Sequence, residues 1–221
     1  MTDIFNMDEQ DSNILSNFAG INKQIQFWPG STLVTVSRGE RMMGRAKTNM
    51  KFNRTVAIDN LSQLLNAISL FKEPKIVMQD NYLTIQDATH QMRYIYTNPE
   101  NVSTYNPEKE IKMTPSYSFA LSAENLKDIQ KAAGVLSMPQ IAFVGNGKVA
   151  MMQVLNIKNP TSHLYSMIVG KTDMTFLMAM NVEWLSKVCM GDYEVSLDLE
   201  KKFAHFTSDQ VEYWMAMEDE E

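Results

Sequence analysis

Val56-Ala57-Ile58-Asp59-Asn60-Leu61, followed by Leu64, Leu65 and Ile68, carries the strongest fold signal in this chain, because the passage recurs as Met178-Ala179-Met180-Asn181-Val182. In both places an apolar run reads as a buried strand and an Asx side chain offers a helix cap. Leu61, Leu64, Leu65 and Ile68 then fall at i, i+3, i+4 and i+7, which predicts an amphipathic helix. The expected helices are Leu61–Phe71, capped by Asp59, and Val182–Met190, capped by Asn181. A hairpin and a third strand follow each: 75–78, 82–86 and 92–96 in the first half, 193–199, 203–206 and 211–215 in the second. From Asp59 to the turn residue Asn81 is 22 positions, and from Asn181 to Lys202 is 21. A unit written twice, with no catalytic centre in view, indicates a scaffold or ring ahead of an enzyme.

Working outward, each half also begins alike. Asp11 or Ser12 is placed to cap a helix with Ile14, Leu15, Phe18 and Ile21 on one face, and strands are expected at 24–28, 32–37, 42–47 and 54–58. In the second half a strand at 117–121 precedes a helix capped by Ser122, with Leu126, Ile129, Ala133 and Leu136 on its buried side. Strands follow at 140–144, 148–156, 163–169 and 174–180. Val182, Leu185, Val188 and Cys189 face inward on the last helix, and Gly191 supplies a stop. Residues 194–200 alternate apolar and polar, so one face is buried and Glu194, Ser196, Asp198 and Glu200 are wet. Between the halves, Thr97 to Ser116 holds Pro99, Pro107 and Pro115 in a polar setting and reads as a linker. The expectation is an α+β chain of two similar domains, 1–108 and 109–221, each with an antiparallel sheet and two helices.

Composition narrows the function. Of 221 residues, 44% are hydrophobic and 21% charged, an ordinary globular balance. One cysteine excludes an internal disulfide and fits a reducing compartment. No run approaches the roughly 18 apolar residues of a membrane span, and the N-terminus has no signal-peptide pattern, so the expected location is cytoplasmic. The net charge of −6 argues against a tight, free-standing nucleic-acid binder. Residues 1–108 carry net −1 and residues 109–221 net −5, while all five arginines lie in the first half. The acidic end, Glu218-Asp219-Glu220-Glu221, is expected to stay solvated.

Several stretches resemble the DNA polymerase sliding clamps of T-even-type bacteriophages. They are Asn13-Ile14-Leu15-Ser16-Asn17-Phe18-Ala19-Gly20-Ile21-Asn22, the Val56 to Leu61 passage with Leu65 and Ile68-Ser69-Leu70, and Leu83-Thr84-Ile85-Gln86-Asp87-Ala88. The likeness spans the whole chain and is stronger in residues 12–96. It implies the DNA-clamp fold and a head-to-tail homotrimer, a closed ring whose sheets form the outer wall and whose helices line the hole. It also implies non-specific, topological binding of double-stranded DNA and tethering of the viral DNA polymerase. An ATP-dependent clamp loader and support of late viral transcription, in the cytoplasm of an infected bacterium, come from the same resemblance. No cofactor and no metal are implied.

A topologically held ring needs only a sparse cationic lining, because strong phosphate neutralisation would grip rather than slide. Lys127 and Lys131, at i, i+4 on one helix face, are the first candidates for facing DNA, then Lys187, Lys72 and Lys23; the alternative for each is an ordinary solvated lysine. The first helix carries no lysine or arginine from Ser12 to Asn22, against the family pattern. Arg38, Arg41, Arg45, Lys47, Lys51 and Arg54 form a second cluster, expected to point several ways on alternating strands and to make a solvated outer face. Clamps of this kind take partner peptides in an apolar groove near the interdomain linker. The candidates here are Val102, Tyr105 and Ile111, with Met42, Met43, Trp214 and Met217 as contributors or as core.

Catalytic readings are thin. His90, His163 and His205 lack metal-motif spacing to each other or to Cys189. Cys189 lies on an apolar helix face and reads as structural, not as a nucleophile paired with His205. Gly145-Asn146-Gly147 is a hairpin turn and not a phosphate loop. The competing functions are a phage structural or assembly oligomer and, behind it, a hydrolase whose acid and base meet only in the fold.

Overall fold

The computed structural model describes residues 3–5, as backbone, and 7–218. The chain divides into two compact units, Met1–Glu110 and Ile111–Glu221. Unit 1 runs β1 (Asp3–Phe5), α1 (Glu9–Ile21), β2 (Ile25–Phe27), β3 (Gly30–Val36), β4 (Met42–Phe52), β5 (Val56–Ile58), α2 (Leu61–Ile68), β6 (Lys75–Met78), β7 (Tyr82–Gln86) and β8 (Gln91–Ile95). Unit 2 repeats that order element for element: β9 (Tyr117–Leu121), α3 (Ala123–Leu136), β10 (Gln140–Asn146), β11 (Val149–Leu155), β12 (Tyr165–Lys171), β13 (Thr175–Asn181), α4 (Val182–Ser186), β14 (Tyr193–Asp198), β15 (Phe203–Thr207) and β16 (Val211–Ala216). The pairing repeats too. β1-β6-β7-β8 in unit 1 corresponds to β9-β14-β15-β16 in unit 2, and β2 pairs β5 as β10 pairs β13, all antiparallel.

The helices form where periodicity put them; Ser122 and Asn181 cap α3 and α4 as expected, while α1 and α2 take different caps. Asp8, not Asp11 or Ser12, caps α1 and accepts the Asp11 amide at 2.8 Å. Asp11 is fully buried one turn in, where the Asn49 main-chain N–H donates to Oδ1 at 3.0 Å. Asn60, not Asp59, caps α2 by accepting the Gln63 amide, and Asp59 accepts from Gln24 Nε2 at 2.7 Å instead. Counted from the true caps, Asn60 and Asn181, the spacing to Asn81 and Lys202 is 21 in both halves. Both α2 and α4 stop earlier than periodicity suggested, at Ile68 and Ser186, because tight turns follow directly.

The cores are aromatic and methionine-rich. In unit 1 the Phe27 and Phe52 rings stack at 4.6 Å, and Phe18 of α1 is fully buried over β4. A Cβ on Gly44 would stand 3.0 Å from the Phe18 ring, so that glycine lets the helix approach the strand. In unit 2, Phe119, Phe143, Phe206 and Tyr193 follow one another at 6.0–6.4 Å in tilted and edge-on contacts. Asp198 is a correction to the wet-face expectation. It is 2% exposed, accepts the Lys201 and Thr114 amides at 2.9 and 3.3 Å, and ends β14. Those main-chain donors hold its carboxyl below the usual range. Of the acidic end, only Glu218 lies within the described residues.

Candidate nucleic-acid interface

Each helix pair leaves one face uncovered, and the residues there are mostly uncharged. On α1 the exposed positions include Asn13, Ser16 and Gly20, and on α2 Ser62, Gln63 and Asn66. α2 carries no charged residue at all, and α1 has only Glu9 exposed near its start. On α3, Lys127 and Lys131 are exposed as the i, i+4 spacing requires, but Asp128 and Glu124 are exposed beside them. That helix therefore shows water two positive and two negative side chains. Its exposed charges cancel, and Val135, one turn beyond Lys131, is exposed as well.

The remaining sequence candidates are distributed as follows. Lys187 is half-buried at the end of α4, with Nζ 2.8 Å from Glu183 Oε1 and 5.0 Å from the Trp184 ring centre. Its charge is already engaged within its own helix. Lys72 is exposed in the turn after α2, and Lys23 is exposed between α1 and β2. The Lys23 carbonyl accepts the Leu61 amide at 2.7 Å, which fixes that segment to the start of α2.

The arginine-rich cluster divides, with half of it on one strand face. β4 continues to Phe52, well past the expected end at residue 47, so Arg45, Lys47 and Lys51 stand at alternate positions on one face. The intervening Ala46, Thr48 and Met50 are buried on the side that meets α1. Lys47 and Lys51 are exposed on that face and Arg45 is half-buried, and Asn49 between them donates from Nδ2 to Asp8 at 2.7 Å. Arg54 pairs with Asp80 at 2.8 Å, and Arg38 and Arg41 occupy the β3–β4 turn.

The linker candidates separate in burial. Tyr105 and Ile111 are half-buried, whereas Val102, Met42 and Met43 are buried in unit 1 and Trp214 and Met217 in unit 2. Trp214 stacks on His205 at 4.3 Å, and that imidazole Nε2 is 2.9 Å from Glu212 Oε2. The Tyr105 hydroxyl donates to Glu40 Oε2 at 2.7 Å, and the Lys109 Nζ lies 5.4 Å from the ring centre. The bond to Glu40 is the leading cause that raises the phenol pKa. Glu40 itself sits at φ 57°, a left-handed conformation unusual for a non-glycine residue.

Chemistry by other routes finds few parts. Burial pushes the Cys189 thiol up, away from reactivity. Its main-chain carbonyl accepts the Tyr193 hydroxyl at 2.9 Å, and its amide donates to the Tyr213 hydroxyl at 3.4 Å. Asn146 closes the β10–β11 turn by accepting the Lys148 and Val149 amides. Among the described residues no group of His, Cys, Asp and Glu is arranged to hold a metal ion, and no helix is long and apolar enough to cross a membrane.

Sequence reasoning missed two features. β1 is too short to show alternation, yet it pairs Asp3–Phe5 with Ile76–Met78. The exposed edge strands were also unmarked. β8 bonds only β7 and β12 only β11 among the described ladders, and Ile95 and Ile168 on them are 61% and 66% exposed.

No family model matches the chain. It is 24% identical over 216 residues to the sliding clamp of Escherichia phage RB69, covering 93% of each chain. Solved structures of low identity share the fold over its full length. A PCNA of A. fulgidus bound to the C-terminal region of FEN-1 superposes with TM-score 0.71 at 13% identity, with all of both chains covered. A Helicobacter pylori beta clamp bound to a DNA ligase peptide gives TM-score 0.72 at 15% identity, over 99% of this chain and 66% of that one. The chain has the DNA-clamp fold.

Proposed function

We propose that this chain is the subunit of a ring-shaped sliding clamp that encircles duplex DNA and tethers a bacteriophage replicative DNA polymerase. The observation that carries this is the same-order repeat of one sheet-and-helix-pair unit whose uncovered helix faces carry almost no net charge. The likeness to the phage RB69 clamp along almost the whole chain supports it. A near-neutral lining suits a ring held by topology, since few phosphates are neutralised and few counterions released. Retention then comes from closure, and tethering raises the local concentration of polymerase at the primer end. No bond is made or broken by the protein.

Three subunits joined head to tail form the ring in this reading. The exposed edges of β8 and β12 supply the joint, one from each neighbour, and antiparallel pairing satisfies their free main-chain groups. The relatives solved with FEN-1 and ligase segments support peptide docking as the means of partner capture. Here the linker around Tyr105 and Ile111 is the proposed docking region, with Lys127 and Lys131 ahead of Lys72, Lys23 and Lys187 as DNA-facing groups. Loading by an ATP-driven loader, support of late viral transcription and a place in the infected bacterial cytoplasm follow from the same family reading.

The test is retention on DNA. Protein loaded onto a nicked circle should co-elute with it through a sizing column and be lost after the circle is cut, and it should sediment as a trimer. A monomer, or equal retention on linear and circular DNA, would overturn the proposal.

A further inference from the structure

Unit 1 presents no cation on either helix, while unit 2 has Lys127 and Lys131 on α3. An open cavity of about 430 Å³ in unit 2 lies between α3 and α4 and is largely apolar. A second cavity, of about 380 Å³, lies wholly in unit 1 and differs in kind. Three segments converge on it: residues 22–24 directly after α1, the β3–β4 turn, and the linker at Asn101 and Ser103.

The walls are braced. Asn22 Nδ2 donates to the Val36 carbonyl at 2.7 Å, and the Ser37 amide donates to the Met42 carbonyl at 2.8 Å. Ser37 is 3% exposed, and its Oγ accepts the Met42 amide at 2.9 Å, which leaves its hydroxyl proton to donate. Lys23 and Arg38 are exposed at the cavity, and neither has an ion-pair or hydrogen-bond partner for its charged end among the described residues. Glu40 is the cavity's one carboxylate, and the Tyr105 hydroxyl occupies one of its oxygens. Among the lining residues two cations stand against one carboxylate, so the formal charge is net positive; Gln24 Nε2 is already bonded to Asp59 at 2.7 Å. That is the composition of an oxyanion site.

We propose that this cavity holds a phosphate of the duplex backbone between Lys23 and Arg38, giving unit 1 the phosphate contact that its helices lack. The inference rests on the sliding-clamp reading. Lys23 leads directly from α1, whose uncovered face is the surface that reading turns toward DNA, so the nearest polyanion is the duplex. The contact is non-specific, because both donors address phosphate and neither reads a base edge. Unit 1 and unit 2 then touch DNA by different means, one from a cavity beside its helices and one from a helix face.

The test compares the full-length protein with the Lys23→Gln/Arg38→Gln variant on a fluorescent linear duplex of mixed sequence across a salt series. Losing one neutralised phosphate per cavity should flatten the slope of log affinity against log salt by about 0.9 for each subunit engaged, and by up to about 2.7 for the trimer. The Lys23→Arg/Arg38→Lys variant, which keeps both charges, should restore it, and sedimentation should show the same trimer throughout. An unchanged slope in the glutamine variant overturns the cavity assignment while retention of the parent on circular DNA leaves the clamp reading standing. A variant that keeps its slope but no longer stimulates polymerase places a protein carboxylate in the cavity and also overturns it. If the parent itself is not retained on circles, the clamp reading falls and this inference falls with it.

Discussion

Replacing Ile168 is the sharpest probe of the proposed ring. Ile168 on β12 is 66% exposed and Ile95 on β8 is 61% exposed, both on strands with an open edge. Fully burying an isoleucine side chain is worth about 1.5–3 kcal/mol, so sealing one that is two-thirds exposed contributes about 1–2 kcal/mol. At 1.4 kcal/mol per decade, Ile168→Ala should weaken each joint about 5- to 30-fold. Ile168→Asp adds a carboxylate that the joint would desolvate, and the loss should exceed about 100-fold. The subunit itself should be untouched, since the side chain stands in water, with folding stability within about 0.5 kcal/mol of the parent. Sedimentation equilibrium measures the trimer affinity, and thermal melting of the dissociated subunit measures the fold. Parent-like trimerisation by Ile168→Asp, with a parent-like melt, would refute edge pairing through β12.

Other consequences are as direct. Lys127→Glu/Lys131→Glu should reduce processive synthesis at moderate salt while sedimentation still shows a trimer, because in the proposed ring α3 would then face DNA with four negative side chains; unchanged product lengths on a primed circle would count against that face. Tyr105→Phe removes the donor to Glu40 and should weaken polymerase binding, measured by calorimetry, with little change in melting temperature. Phe18→Ala empties a fully buried site beside Gly44 and should cost about 3–5 kcal/mol in denaturant unfolding. Asp87 accepts the Thr89 and His90 amides, which hold its carboxyl down to about 2. Its folded pKa lies below its unfolded value, so its contribution to stability is present above about pH 4 and is lost as pH falls toward 2. Acid melts of Asp87→Asn, set beside the parent, should lack that part of the pH dependence.

Much of the architecture was legible because side-chain periodicity reports burial locally. Leu61, Leu64 and Ile68 announced α2, and the alternation of Val195 and Leu197 announced β14. The duplication was visible for the same reason, since two similar units must bury similar faces. Neighbouring groups of equal chemistry were not resolved. Asp59 and Asn60 can each cap a helix, and only the contact of Asp59 with Gln24, 35 residues away in the chain, assigns the cap to Asn60. Asp11 reads as a surface cap until the Asn49 amide buries it.

The sequence by itself determined the repeated unit, the placement of its helices and strands, and the scarcity of charge on the helix faces, because these follow from which residues can leave water. Tertiary structure alone decided which cations were brought together. Continuation of β4 to Phe52 gathered Arg45, Lys47 and Lys51 on one face, and convergence of three distant segments set Lys23 near Arg38. A charge is solvated equally well in many places, so its position is fixed by what the fold brings beside it and not by the local pattern around it.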